Sequence, residues 1–272
     1  MRFADQHIHS ACSPDSDTPM RMMAKAAQKR GMSAVCFTDH IDMDDPFTGA
    51  VRPDYPVVWP NRVETARALV ENPPEGIEIR FGVELGEATH YPELAAEVAR
   101  QPELDFVLGS LHNLKNERDF YSYPYKSEEE CSILNRRYMK ELLQLADFPG
   151  FDVMAHIGYT SRYMHRDGFR SSITIPEYRD VYAELFTRLI AQGRGIEVNC
   201  KSIPDGYGTY VSEDALRLYK DLGGEIVTVG SDGHNVATAS LCVKDGYALL
   251  EKTGFCYVAE YIKRKPVFYK IG

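Results

Sequence analysis

The chain has 272 residues, 44% hydrophobic and 26% charged, with a formal net charge of −9. That length suffices for one large hydrophobic core or two small ones. No basic stripe supplies the clustered Lys and Arg that long nucleic acid requires, and no apolar run reaches the roughly 18 residues of a membrane helix.

Short apolar runs alternate with helical patterns along the chain. The first run is Met1 to Ile8, followed by a helix from about Pro19 to Arg30 that Gly31 stops. SAVCF (Ser33 to Phe37) leads into an Asp- and Pro-rich loop, Ile41 to Tyr55, and a helix from about Asn61 to Glu71. IEIRFGVEL (Ile77 to Leu85) precedes the helical PELAAEVARQ. LDFVLGSLH (Leu104 to His112) precedes an aromatic loop and a helix over Ser127 to Leu145. FDVMAHI (Phe151 to Ile157) runs into a polar loop, then a helix from Pro176 to about Gly193. GIEVNC (Gly195 to Cys200) precedes a helix starting near Ser212. EIVTVGSD (Glu225 to Asp232) precedes a helix over about Val236 to Thr253, and FCYVAEY and PVFYK read as short terminal strands. Seven strands alternating with helices, each a nearly continuous apolar run, indicate a parallel sheet buried on both faces. With no linker-like stretch between halves, the expectation is one α/β domain over 1–272, a TIM-like barrel of about seven units. An open doubly wound sheet predicts a Gly-rich phosphate loop after the first strand, where this chain has SACSPDSD.

The eight histidines carry most of the functional information. His7 and His9 end the first strand, His40 follows the second, Glu84 ends the third, His112 the fourth and His156 the fifth. Asp232 and His234 end the seventh. In a parallel barrel all these strand ends open on one face, where catalytic groups collect. Residues at i and i+2 of a strand share a side, which pairs His7 with His9 and Asp232 with His234. One histidine at a strand end is ordinarily a satisfied core or surface residue; six of eight at strand ends is a different observation. So many imidazoles and carboxylates share a pocket only if cations hold them. Imidazole and carboxylate without thiolate suit Zn, Mn or Fe in a catalytic rather than structural site. Nine candidates, counting Asp15, suit two or three ions. Cys12 and Cys200 read as packing residues, and His90 and His165 as ordinary helix-start and loop residues. The six cysteines form no C-x-x-C pair, and MRFADQHIH carries no apolar signal segment, so the expectation is reduced thiols in a cytoplasmic protein.

DQHIHS, FTDH, GVELGE, GSLHN, MAHIGY and GSDGHN, in that order, resemble the polymerase-and-histidinol-phosphatase (PHP) metallohydrolase family, over essentially the whole chain and in its histidinol-phosphate phosphatase form. The resemblance implies a distorted (β/α)7 barrel with a trinuclear site. It implies His7, His9 and Asp232 on one ion, Glu84 bridging to a second held by His112 and His156, and Asp15, His40 and His234 on a third. Some members have a histidine where this chain has Asp15, and Asp17 is a rival to Asp15. The implied reaction is hydrolysis of L-histidinol phosphate, a step of histidine biosynthesis, by a metal-bound hydroxide, with Glu84 and Asp232 in the catalytic centre. Arg162 is a candidate phosphate contact, or else a solvated loop arginine. Asn199 and Lys201 are candidate substrate contacts at the mouth of the sixth strand, and Asp39 a support for His40. The loops Ile41 to Trp59 and Asp119 to Tyr125 are candidate covers, with Asp42, Asp44 and Asp45 facing a cationic amine. Nucleotides or oligonucleotides, phosphotyrosine, and a non-enzymatic accessory role are the competing readings.

Overall fold

The computed structural model describes residues 2–45 and 55–272. In chain order its elements are β1 (Ala4–Ile8), α1 (Met20–Lys29), β2 (Ala34–Phe37), β3 (His40–Asp42), α2 (Tyr55–Glu71), β4 (Glu78–Gly86), α3 (Pro92–Ala99) and β5 (Phe106–Ser110). Next come α4 (Glu128–Leu145), β6 (Val153–Met154), α5 (Tyr159–Arg166), α6 (Ile175–Ala191), β7 (Gly195–Asn199), α7 (Glu213–Asp221), β8 (Val227–Gly230), α8 (Val243–Lys252), β9 (Tyr257–Ile262) and β10 (Lys265–Lys270). The parallel order is β1-β2-β4-β5-β6-β7-β8, with β3 also paired to β4. β2 covers the first half of β4 (Ala34 opposite Glu78) and β3 the second (His40 opposite Glu84), so the two act as one interrupted strand.

Local chemistry explains most boundaries. In α1, Met20, Met23, Ala24 and Ala27 are buried at helical spacing, which turns one stripe to the sheet. Ser127 and Ser212 cap α4 and α7, accepting from Glu130 N–H (3.1 Å) and Ala215 N–H (3.2 Å). Three boundaries differ from expectation. α2 begins at Tyr55, because Pro56 fits a first turn and Pro60 forfeits only one backbone hydrogen bond. The polar loop after the fifth strand contains α5, whose buried face is only Tyr159, Thr160, Tyr163 and Met164. α8 begins at Val243 rather than near Val236, because Ser240 and Cys242 have positive φ. Residues 46–54 of the expected covering loop lie outside the described residues.

The barrel closes where β8 meets β1. Asp232 N–H donates to His7 O (2.7 Å) and His9 N–H to Gly233 O (2.9 Å). Beneath them the buried Asp5 carboxylate accepts from Ser231 N–H (2.9 Å), Ser231 Oγ–H (2.6 Å), Ser240 Oγ–H (2.8 Å) and His7 N–H (3.2 Å). At the other end the β9–β10 hairpin plugs the barrel. Tyr261 stacks on Phe106 at 4.7 Å among Cys36, Leu108 and Val153. Arg264, at the hairpin turn, donates to Asp152 Oδ2 (2.6 Å), Ala99 O (2.6 Å) and Gly150 O (2.9 Å).

Asp5→Ala leaves four buried donors without their acceptor. The expected result is a loss of about 2–4 kcal/mol of unfolding free energy, checked by urea denaturation; an unchanged midpoint refutes the role of Asp5 at the seam.

Candidate metal centre

Glu84 is the hub. Its carboxylate on β4 is 1% exposed, yet five imidazoles surround it. Oε1 lies 2.7 Å from His156 Nε2 and 3.0 Å from His112 Nε2. Oε2 lies 3.0 Å from His7 Nε2 and 3.3 Å from both His9 Nε2 and His40 Nδ1. Each oxygen therefore serves a different set of histidines.

The remaining candidates gather on either side. His7 Nε2 and His9 Nε2 are 3.0 Å apart, and His9 Nε2 is 3.4 Å from Asp232 Oδ1. Asp15 Oδ2 is 2.8 Å from His234 Nε2 and 3.6 Å from His40 Nε2. Two ligand atoms on one tetrahedral zinc stand about 3.3 Å apart, given bonds of roughly 2.0–2.1 Å, so these spacings match a shared ion. Asp15, although half exposed, shares a group with His9, His40 and His234, and Asp17 joins no such group, so the carboxylate placed at the cluster is Asp15.

The electrostatics point the same way. Burial, together with His234 and His40, pushes His9 down to about 3, which leaves a neutral imidazole able to donate a lone pair. Burial opposes ionisation of Glu84, but His40, His7 and His112 outweigh it and hold the carboxyl well below the usual range. Asp232 is likewise held down against burial, chiefly by Lys201 and His7. His40 Nδ1 and His156 Nδ1 are buried without a hydrogen bond, which an interior tolerates poorly. Burial opposes protonation of His7, His40 and His112, but Glu84 and the neighbouring carboxylates outweigh it and hold these rings well above the usual imidazole range. Carboxylates and imidazoles without thiolate make a donor set that fits divalent ions, which would displace those protons. Cys200 Sγ points to Val198 O instead.

Around this cluster lies a supporting shell that the motifs did not reveal. Glu197 on β7 is fully buried; its Oε1 is 2.6 Å from His7 Nδ1 and its Oε2 accepts from His156 N–H at 2.9 Å. The signal was present: Glu197 sits two residues before Asn199, on the same side of one strand. Glu87 Oε1 accepts from His112 N–H at 2.7 Å and lies 3.4 Å from its Nδ1. Gly230 has no alternative, since a Cβ there would collide with His7 Cβ and Glu197 Oε1. His156 and Asp232 both carry positive φ, +24° and +52°, which is uncommon backbone for side-chain-bearing residues and frequent at functional sites.

The outer candidates divide. A cavity of about 990 Å³ opens over the cluster; Lys201, Arg162, Asp45, Asp119 and Tyr121 help line it. Lys201 Nζ is 2.7 Å from Asp232 Oδ1 and 3.1 Å from His234 Nδ1. Arg162 belongs to α5 rather than to a loop, and donates to Asp205 Oδ2 (2.7 Å) and Tyr210 Oη (3.2 Å). Asn199 is buried below the cavity; its Nδ2 donates to Asp232 Oδ2 and Glu197 Oε2, both at 3.2 Å, a position that orients Asp232. Asp44 does not face the cavity mouth. It is buried against His90 Nδ1 at 2.7 Å, so His90 is a core residue tying down that segment. Asp42 Oδ1 lies 3.5 Å from His40 Nδ1 and 3.6 Å from His112 Nδ1, inside the cluster rather than in a cover. Trp59 packs on Phe81 at 5.6 Å, and Phe120 is buried in the core.

A parallel barrel with a hub carboxylate and imidazoles at its strand ends defines a metal-dependent hydrolase. The chain belongs to the PHP domain family, whose model matches residues 5–201. It is 25% identical over 268 residues to the histidinol-phosphatase of Lactococcus lactis subsp. lactis, covering 96% of this chain and 95% of that one. It is 29% identical over 273 residues to a protein of Clostridium acetobutylicum named "Probable histidinol-phosphatase", covering 98% and 96%. The crystal structure of the Lactococcus lactis histidinol phosphate phosphatase, complexed with zinc, L-histidinol and phosphate, superposes with a TM-score of 0.78 over 98% of this chain and 99% of that one, at 25% identity.

Glu197→Gln keeps the shape but removes the charge that orients His7. Bound metal is expected to fall by about 10–100-fold in affinity, measured by equilibrium dialysis; affinity equal to the parent rules the support out.

Proposed function

We propose that this chain hydrolyses L-histidinol phosphate to L-histidinol and phosphate as a metal-dependent phosphomonoesterase of histidine biosynthesis. The observation that carries this is the near end-to-end match with an enzyme crystallised on zinc, histidinol and phosphate, over a cavity whose floor holds the donor cluster.

Within this reading His7, His9 and Asp232 hold one divalent ion, Glu84 with His112 and His156 a second, and Asp15, His40 and His234 a third, with zinc the first choice of metal. Bound ions supply Lewis-acid charge for the phosphate oxygens and acidify the attacking water. Glu84 is suited to bridging because its two oxygens face different histidines. Lys201 offers three ammonium donors; Asp232 engages one, and His234 Nδ1, which donates to Asp232 O, takes none, so two remain for a phosphate oxygen. Arg162, braced by Asp205 and Tyr210, retains further guanidinium donors for the same anion. Asn199 holds Asp232 in place from below. Asp45 and Asp119 put negative charge around the cationic organic part of the substrate and disfavour a long polyanion. A cytoplasmic setting agrees with six unpaired cysteines, and among the described residues no helix is long and apolar enough to cross a membrane.

Two experiments test the proposal. Metal-reconstituted protein assayed on histidinol phosphate, mononucleotides and phosphotyrosine is expected to favour the first in kcat/KM by at least about tenfold; equal, slow turnover of all three overturns the substrate assignment. Glu84→Ala is expected to lose turnover and to retain less metal by elemental analysis. Parental metal content with parental turnover excludes the bridging role.

A further inference from the structure

We infer that Ser13 is a positioning residue that fixes the tautomer of His9 and the spacing between two ligand-bearing segments. The inference rests on the metal-centre reading above but not on the identity of the substrate.

The argument follows the protons. Asp39 is 1% exposed, and its carboxylate accepts from Ser10 N–H (2.6 Å), Ser10 Oγ–H (2.8 Å) and Ser13 Oγ–H (2.9 Å). A carboxylate offers only acceptors, so the single Ser13 hydroxyl proton is committed to Asp39. The Ser13 oxygen must then accept from its other two neighbours. One is His40 N–H, 3.0 Å away, which can only donate. The other is His9 Nδ1, also 3.0 Å away. His9 therefore carries its proton on Nδ1. That leaves the Nε2 lone pair facing His7 Nε2, Glu84 and Asp232, the direction in which a cation would lie.

The same hydroxyl joins the turn after β1 to the start of β3. A backbone turn, Ser13 N–H to Ser10 O at 2.8 Å, returns Ser13 beneath the imidazole. Arg62 Nη1 donates to Asp39 O at 3.1 Å and ties the arrangement to α2. His9 and His40 consequently stack at 4.4 Å. Ser13 does not itself line the cavity, so its effect on the centre passes through its partners His9 and His40.

The test uses the full chain, without substrate. Long-range proton–nitrogen NMR of the imidazoles, with His9 assigned from the His9→Gln spectrum, is expected to show the Nδ1–H form in metal-free parental protein. Ser13→Ala is expected to give a tautomer mixture and to weaken zinc binding by at least about tenfold in chelator competition. Ser13→Thr keeps the hydroxyl and is expected to recover affinity to within about threefold. An Nε2–H form in the parent, affinity in Ser13→Ala within twofold of the parent, or no recovery in Ser13→Thr overturns the inference. The parental spectrum decides the tautomer even if Ser13→Ala does not fold. None of these readouts depends on the substrate panel, so failure here is separable from failure of the histidinol phosphate assignment.

Discussion

One buried carboxylate sets the terms for the rest of the molecule. Glu84 is removed from water and has five imidazoles within 3.3 Å. Burying charge is costly unless partners compensate it. No single strand can supply five partners, so the compensation has to come from several strands converging at one point. A closed parallel barrel does this, because each strand ends on the same face. The metal centre is thus a reason for this barrel geometry as well as its product.

The closure shows how strongly centre and fold depend on one another. The bonds that join β8 to β1 use the backbone of His7, His9, Asp232 and Gly233. The side chains of three of these point into the cluster. Asp5 secures the same seam one layer lower, and Gly230 allows His7 and Glu197 to approach closely. A change that loosens the seam also moves ligands. The positive φ at His156 and Asp232 belongs to the same economy of position: the barrel holds these residues in uncommon backbone so that their side chains turn into the mouth.

What could be read from the sequence divides along physical lines. The eight residues named at strand ends lie together, because strand direction and the open barrel face leave them no other place; Asp15, in the turn after β1, came only from the family resemblance. The alternation of strands and helices was equally legible, since it is written in apolar periodicity. α5 was not, because a two-turn helix with four buried positions, two of them tyrosines, has too little pattern to stand out. The start of α2 was hidden by Pro56 and Pro60, which normally signal a loop. Glu197 and Asp5 were missed for a subtler reason. A carboxylate inside an apolar strand resembles an exposed alternate position until the barrel interior is known to be polar at that level.

That polar level is what separates this centre from a collection of metal-capable side chains. Each imidazole has two nitrogens, and only one can face the ions. Glu197 takes the far nitrogen of His7, Ser13 that of His9, and Glu87 and Asp42 lie beside that of His112. His234 Nδ1 meets Asp232 O at 2.9 Å. These contacts favour one orientation for His7, His9, His112 and His234, while His156 Nδ1 has no such partner, and they satisfy buried groups that would otherwise destabilise the fold. The cavity above then needs only a few cationic and acidic side chains on its wall to choose a substrate. The donor cluster is set by the strands and their supports, whereas Arg162, Lys201 and Asp119, which line the cavity, lie on the segments that follow them. A change of specificity can therefore proceed in those segments without disturbing the buried charge on which the barrel depends.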